Sequence, residues 1–216
     1  MVRVVVLDVD GTLMDTNYQH TEAWARAMAE VGHPASRAEV HRRIGKGSDM
    51  LISEFVEDEE AAKKVDELHA GIYLDLQQYA QALPGAKELI AALYDGGYEV
   101  WLVTSATPEE LEKHLEKLEA NGRLAGIVNS SEVERSKPAP DLFELALEKA
   151  GARPNETIAV GDSIWDVEAA KAAGVRTVAV LTGGAFGAEE LKEAGAIEVY
   201  DDCAALLDSG FPEWTG

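Results

Sequence analysis

Cysteine and basic residues are scarce in this chain of 216 residues, and long hydrophobic runs are absent. Cys203 is the single cysteine, so no disulfide can form within the chain, which fits a reducing compartment. No apolar run approaches the ~20 residues of a transmembrane helix, and the N-terminus has no signal-peptide pattern. We therefore expect a cytoplasmic protein with no membrane partner.

Positive charge is outnumbered two to one. The 19 Lys and Arg residues stand against 40 Asp and Glu, which gives a formal net charge of −21. Such a field repels nucleic acids and anionic membrane surfaces, so we expect neither as a partner. A solvated acidic surface, a halophilic source and a redesigned surface would all produce this composition. An anionic substrate would need a metal or basic residues to overcome the field locally.

Several common functional motifs are missing. The five histidines and one cysteine are scattered and form no zinc pattern, and neither a Walker loop nor a G-x-S-x-G elbow occurs. A calcium-binding EF-hand that began at Asp8 would need glycine where Leu13 stands. These absences exclude the usual signatures of nucleotide, serine-hydrolase, zinc and EF-hand calcium sites.

Strand and helix patterns alternate along most of the chain. Because strand, helix and strand recur in this order, the sequence predicts an α/β fold with a doubly wound parallel sheet. Only helical patterns occur between residues 15 and 82, which predicts an inserted helical cap domain there. The α/β core domain would then comprise residues 1–14 and 83–216. The predicted strands are residues 4–7, 98–103, 127–128, 157–160, 175–181 and 197–200.

Polar residues follow four of these strands. In open parallel sheets, ligands bind beyond the carboxyl ends of the strands, so these residues should meet at one edge. Each alone has an ordinary structural explanation as a turn, a helix start or an exposed lysine; together and in this order they predict a site. They are Asp8 and Asp10, Thr104 and Ser105, Lys137, and Asp162 with Asp166.

The residue types at this edge suit phosphoryl transfer. Asp8 and Asp10 lie two apart on an extended chain, so they should point to the same side, and their repulsion would raise one pKa unless a cation lies between them. Asp8 and Asp162 supply hard oxygens suited to Mg²⁺. Lys137 adds a positive charge, and Thr104 beside a helix N-terminus adds donors for an anion. A carboxylate nucleophile, a second carboxyl, a metal and a lysine are the parts of such a site.

With these motifs the chain resembles the haloacid dehalogenase superfamily, specifically its phosphatase-like members with a helical cap after the first strand. The resemblance spans essentially the whole chain. It implies that Asp8 is a nucleophile that forms an aspartyl-phosphate, and that Asp10 protonates the leaving group and then activates water. It also implies Mg²⁺ bound by Asp8, the backbone carbonyl of Asp10 and Asp162. Thr104, Ser105 and Lys137 would bind the phosphoryl group, and Asp166 would support the metal or Lys137.

Related activities remain as alternatives. The dehalogenases and phosphonoacetaldehyde hydrolases of this superfamily lack an acid at the position of Asp10. A phosphomutase resembling beta-phosphoglucomutase is the stronger rival, because Asp15-Thr16, His20 and Trp24 look like its entry into the cap. Against it, Gly161 stands where the mutase pattern has an acidic residue, and no Lys or Arg lies between Asp66 and Gly85. A non-catalytic scaffold that binds a phosphorylated ligand is the third reading.

Substrate choice is expected to lie with the cap. Residues 41–50, HRRIGKGSDM, combine two glycines with three cations, which indicates either a substrate loop or an interhelical loop with solvated charges. The candidate substrate contacts here are Arg43 and Lys46, together with His20. The cations favour a small, anionic or polyhydroxylated phosphate ester, such as phosphoglycolate or a sugar phosphate, as the small-molecule partner.

Overall fold

The computed structural model describes residues 1–213, so residues 214–216 of the predicted core domain lie outside the described residues. The strands are β1 Val4–Leu7, β2 Glu99–Val103, β3 Gly126–Val128, β4 Thr157–Gly161, β5 Arg176–Val180 and β6 Glu198–Tyr200. The helices are α1 Asn17–Glu30, α2 Arg37–His41, α3 Ser48–Ser53, α4 Glu59–Leu76, α5 Ala86–Asp95, α6 Pro108–Lys117, α7 Asp141–Ala150, α8 Ile164–Ala172, α9 Ala188–Ala194 and α10 Cys203–Asp208. Short 3₁₀ turns cover Gln77–Tyr79, Ser130–Glu132 and Pro154–Glu156.

The strands form one six-stranded sheet in the order β3-β2-β1-β4-β5-β6, and each neighbouring pair is parallel. From β1 the chain first adds β2 and β3 on one side and then β4, β5 and β6 on the other, so the strand order changes direction at β1. Leu7 is level with Leu102 of β2 and with Val160 of β4, so the residue after each strand end lies at one edge. The predicted α/β fold with a doubly wound parallel sheet is confirmed.

Alternate residues of β1 enter two separate cores, as the two-residue period of a strand requires. Val5 and Leu7 pack with α5, α6 and α10 on one face of the sheet, while Val4 and Val6 pack with α7 and α8 on the other. All four β1 residues are buried because helices cover both faces, as is usual for a parallel sheet.

Between β1 and α5 the described chain contains helices and no strand, and these helices have a core of their own. Trp24, Met28, Val40, Leu51 and Val65 are buried members of that core. The chain leaves and re-enters the sheet region at one place, where Asp15 donates its backbone N–H to Gln81 O at 2.9 Å. The exact division at residues 14/15 and 82/83 stays a prediction.

The sequence patterning is helical from about Ser48 to about Gln81, with no break predicted, and the structure divides this stretch into α3 and α4. Asp58 accepts a hydrogen bond from Ala61 N at 2.8 Å and therefore caps a new helix after the break. Helix α10 was not predicted from the sequence, and it begins at a similar cap formed by Asp202. No helix among residues 1–213 is long and apolar enough to span a membrane.

Candidate active site

Three carboxylates and one lysine meet at the edge of the sheet where β1 and β4 end. Lys137 is fully buried, and its Nζ donates to Asp8 Oδ1 at 2.6 Å and to Val103 O at 3.1 Å. The same Nζ lies 2.7 Å from Asp166 Oδ1. A buried cation thus joins the end of the first strand to the start of α8, 158 positions apart in the chain.

Asp162 forms the other side of this cluster. Its Oδ1 accepts from Thr12 Oγ1 at 2.9 Å and its Oδ2 from Asn17 Nδ2 at 3.1 Å, and Thr12 Oγ1 also lies 3.3 Å from Asp8 Oδ2. The backbone approaches so closely that a Cβ on Gly183 would lie 1.7 Å from Asp162 Oδ2. Only glycine fits there, so the fold reserves this space for the carboxylate.

The donor set fits a divalent cation. One carboxylate oxygen from each of Asp8, Asp162 and Asp166 lies within 4.8 Å of the others, and all three residues are buried. Burial raises the pKa of Asp8 to about 7 despite the Lys137 charge, and burial with the Asp166 and Asp8 charges raises the pKa of Asp162 well above its usual value. One lysine leaves three carboxylates incompletely compensated, and a Mg²⁺ ion would supply the missing charge.

Asp10 lies in a different environment from Asp8. Its Oδ1 accepts from Thr16 Oγ1 at 2.6 Å and lies 3.3 Å from His20 Nε2. Burial opposes ionisation of Asp10, but the His20 imidazolium and its hydrogen bond outweigh burial and hold the pKa of Asp10 below its usual range. The two carboxyls of the DVDGT motif, residues 8–12, therefore have pKa values displaced in opposite directions: Asp10 is held ionised, and Asp8 is the more readily protonated.

A stack of aromatic rings from α1 and α4 fixes His20. Its ring lies on Tyr73 at a centroid distance of 3.8 Å, and its Nδ1 is 3.2 Å from Nε2 of His69. The His69 ring in turn lies on Trp24 at 3.5 Å. Burial and the His20 charge lower the pKa of His69. The two imidazoles therefore share one positive charge, which lies on His20, and His69 is neutral.

A cavity of about 360 Å³ opens above these residues, between the helical block and the strand ends. Five of the predicted site residues line it. They are Asp8, Asp10, His20, Lys46 and Ser105.

The other predicted residues are beside the cavity rather than on its wall. Lys137, Asp162 and Asp166 lie beneath Asp8 in the buried cluster. Thr104 is buried, and its Oγ1 accepts from Ala106 N at 3.0 Å, so the hydroxyl is already used to shape the turn after β2. Ser105 lines the cavity and donates to Gly45 O at 3.3 Å, which joins this turn to the helical block.

Of the three cations in residues 41–50, Lys46 lines the cavity, and Arg42 and Arg43 do not. Arg43 is absent from the wall, and its Nε donates to Glu54 Oε2 at 2.9 Å. Lys46 has a side chain 9% exposed, pairs with the other Glu54 oxygen and lies 4.0 Å above the Trp165 ring centre. Arg42 donates to Glu190 at 2.7 Å. Each cation has an acidic partner within the chain, which matches the alternative of an interhelical loop more closely.

Four residues of the site escaped sequence analysis. Thr12 and Asn17 hold Asp162, and Thr12 could have been found because it belongs to the DVDGT motif. His69 and Glu110 line the cavity, but their positions follow from the packing of α4 and α6 and left no local signal.

Comparison with known proteins gives consistent matches. The model of the haloacid dehalogenase-like hydrolase family matches residues 2–174. A phosphoglycolate phosphatase of Rhodospirillum rubrum is 29% identical, over 99% of this chain and 93% of its own length. The crystal structure of a hydrolase from Pseudomonas syringae is 34% identical with a TM-score of 0.90, over 95% of this chain and 96% of that one. CbbY from Rhodobacter sphaeroides, solved in complex with phosphate, is 25% identical with a TM-score of 0.82, over 95% of this chain and 96% of that one.

Proposed function

Because the chain belongs to the haloacid dehalogenase-like hydrolases and is an enzyme of phosphatase type, we propose that it hydrolyses a small phosphomonoester with Mg²⁺ through an aspartyl-phosphate. The observation that carries this proposal is Asp8 on the cavity wall, paired with the buried Lys137 behind it, with Asp10 also on the wall. A binding scaffold would gain nothing from a nucleophile and an acid–base group placed together in this way. The structure of CbbY, a protein of the same fold, contains phosphate, which is consistent with a phosphorylated ligand for this chain.

Each residue has a defined part in the proposed reaction. An Asp8 oxygen attacks phosphorus as the ester P–O bond breaks, and Asp10 gives its proton to the departing alcohol oxygen. Asp10 then removes a proton from water, which attacks the aspartyl-phosphate and releases phosphate and free Asp8. His20 and Thr16 lower the pKa of Asp10 and so keep it ionised, as a base must be. The negative charge of a bound phosphate would raise this pKa, which favours the protonated form that the first step needs.

Bound Mg²⁺ would neutralise charge on the phosphoryl oxygens. Asp8 and Asp162 would hold it, together with the backbone carbonyl of Asp10. Asp166 would instead keep Lys137 in place, since its Oδ2 is occupied by Ser163 Oγ at 2.6 Å. Lys137 would orient Asp8 and meet the phosphoryl group, and the Ser105 hydroxyl would donate to it from the cavity wall.

The helical block over residues 15–82 acts in this proposal as a cap that excludes water from the cavity. Its own core and the Ser105–Gly45 contact support that role. Because Cys203 is the single cysteine and forms no disulfide within the chain, the cytoplasm is the location that we propose for the protein.

The mutase alternative loses support at Gly161. A Cβ at this position would lie 2.5 Å from Asp166 Cβ, so an acidic side chain cannot be placed there without moving the lysine partner. The mutase pattern requires such a residue, and hydrolysis does not.

The proposal is tested by measuring phosphate release from a panel of small phosphomonoesters, with and without Mg²⁺. We expect turnover that EDTA removes and that Asp8→Asn lowers by about 10³-fold or more, because the nucleophile is lost. Isomerised sugar phosphate with little free phosphate would identify a mutase. Saturable Mg²⁺-dependent binding with no turnover on any ester would identify a scaffold, and either result would overturn the proposal.

A further inference from the structure

The cavity differs in charge between its two ends. At the inner end, Asp8 and Asp10 line the cavity, and a bound metal ion with Lys137 behind Asp8 would meet the phosphoryl group. The remainder of the wall must contact the organic part of the ester, and it carries three further carboxylates, from Asp66, Glu109 and Glu110. The charge of this outer part decides which esters can enter.

The outer wall has little positive charge to offer. Lys46 is the one lysine or arginine among the lining residues of the described chain, and its ammonium is occupied by Glu54 and the Trp165 face. Arg43 points to Glu54 outside the wall. His69 is held neutral by burial and by His20, so it adds hydrogen-bonding capacity without charge.

The acidic residues are placed by two helices, α4 and α6, that both contribute to the cavity wall. The lining residues of α4 are spaced three or four positions apart and so lie on one face of the helix. They are Asp66, His69, Ala70 and Leu74. Glu109 and Glu110 occupy the first turn of α6. The Glu110 carboxylate is bound by Thr107 through its N–H at 2.7 Å and its Oγ1 at 3.1 Å, whereas Asp66 and Glu109 are exposed at the mouth.

Apolar side chains fill the space between these charges. Most of the remaining wall is formed by six apolar residues: Trp24, Ile44, Leu51, Ala70, Leu74 and Ala106. A carboxylate on the organic group would lose water there and face carboxylates. The His20 imidazolium also lines the cavity, but its charge is already paired with Asp10 at 3.3 Å.

We propose, on the basis of the function proposed above, that this phosphatase selects phosphomonoesters whose organic group carries no negative charge, and that it favours a positively charged one such as an aminoalkyl group. Asp66 and Glu109 are the specificity-determining residues. The carboxylate of phosphoglycolate, the named substrate of one relative, is disfavoured in this chain.

Three two-carbon phosphates of the same length test the charge alone: 2-aminoethyl phosphate, 2-hydroxyethyl phosphate and phosphoglycolate. With saturating Mg²⁺ and low salt, we expect kcat/KM to fall in that order, by about tenfold for each unit of charge. The difference should shrink as salt is added, because the mouth is open to solvent.

Variants at the mouth separate the local charge from the general acidity of the protein. Asp66→Asn and Glu109→Gln should each improve phosphoglycolate relative to 2-aminoethyl phosphate several-fold. Glu67→Gln and Glu112→Gln remove the same charge at neighbouring exposed positions outside the cavity wall, and they should leave the ratio unchanged. The midpoint of thermal unfolding of each variant shows whether it is folded.

The failures are distinguishable. Rapid hydrolysis of phosphoglycolate in preference to the other two would overturn this inference and leave the phosphatase intact. Equal shifts in the mouth and control variants would overturn the assignment of Asp66 and Glu109. No release from these esters, or from 4-nitrophenyl phosphate as a general reporter, would overturn the proposed function and this inference with it.

Discussion

Asp8 is a carboxylate that the folded protein stabilises poorly without a metal. It shares a buried space with Asp162 and Asp166, and Lys137 is the cation that contacts it in the described chain. Burial accordingly raises its pKa to about 7 from an ordinary value of 3.8. Such a displacement is typical of a group retained for chemistry at some cost in stability.

This cost should be visible as a pH dependence of the metal-free protein. A carboxyl whose pKa is raised by folding binds more protons folded than unfolded, so the free energy of unfolding falls as pH rises from about 4 to about 7. Asp162 acts in the same direction. We expect Asp8→Asn to reduce the fall and to exceed the wild type by roughly 1–3 kcal/mol at pH 8. Urea unfolding in EDTA at several pH values measures this.

The control for this prediction is Asp201→Asn, which removes an exposed carboxylate and should retain the wild-type slope. Adding Mg²⁺ should restore stability to the wild type more than to Asp8→Asn, because Asp8 is one of the proposed ligands. Parallel pH profiles for all three proteins would contradict the account.

The site residues that directly follow a strand could be predicted from the sequence, whereas the contacts of side chains that are set by tertiary packing could not. Asp8, Lys137 and Asp166 follow strands, and a parallel sheet must bring strand ends together, so their contact could be expected. Arg43 and Lys46 resembled substrate cations because their partner Glu54 lies eight to eleven residues away, at the C-terminal end of α3. Whether a surface cation is already paired is decided by tertiary packing, which the local sequence does not record.

At the scale of elements, the loop between α2 and α3 sets how closely the helical block approaches the sheet. A Cβ on Gly47 would lie 2.2 Å from Ser136 Cβ, and one on Gly45 would lie 2.8 Å from Ser163 Oγ. Both neighbours belong to segments after β3 and β4 that flank the buried cluster. Glycine is therefore required at this contact for space, and Gly45 also has a φ of +98°.

Gly47→Ala should impair closure more than folding. The clash lies between the helical block and the strand ends, so it is relieved when the block moves outward, at the cost of admitting water to the cavity. We expect kcat/KM to fall about 10- to 100-fold, while the midpoint of thermal unfolding changes little. Steady-state kinetics with the preferred ester, paired with thermal unfolding, provide the measurement.

Gly71→Ala is the matched control. This glycine lies inside α4, where an added Cβ meets nothing within 4 Å, so alanine should stabilise the helix by about 0.5–1 kcal/mol. Its activity should be unchanged. If Gly47→Ala behaves in the same way, close approach of the loop is not needed for catalysis.

The elements themselves were largely predictable because their end signals are local. Thr107 and Pro108 start α6, and Ser163 with Asp166 starts α8, as their capping patterns indicate. The break between α3 and α4 was missed because an acidic run favours a helical first turn as much as a helix interior. Helix α10 is too short for its periodicity to stand out from the surrounding chain.

At the scale of the whole molecule, a net charge of −21 opposes the approach of a phosphate ester. We expect kcat/KM for a dianionic ester to rise roughly two- to fivefold when KCl increases from about 10 to 150 mM at saturating Mg²⁺. Sucrose at equal osmolality should have no such effect, which separates screening from solvation. A fall with KCl would show instead that Lys137 and the metal dominate the field at the cavity mouth.

The position of β1 in the sheet also has a consequence during synthesis on the ribosome. This first strand pairs with β2 and β4, whose residues begin at Glu99 and Thr157. At a translation rate of about 5–20 residues per second, Val4–Leu7 waits roughly 8–30 s for its last partner. The nascent chain must carry an apolar strand with at least one unpaired edge through that interval, so the residue proposed to do the chemistry is among the first made and is not enclosed until β4 has followed.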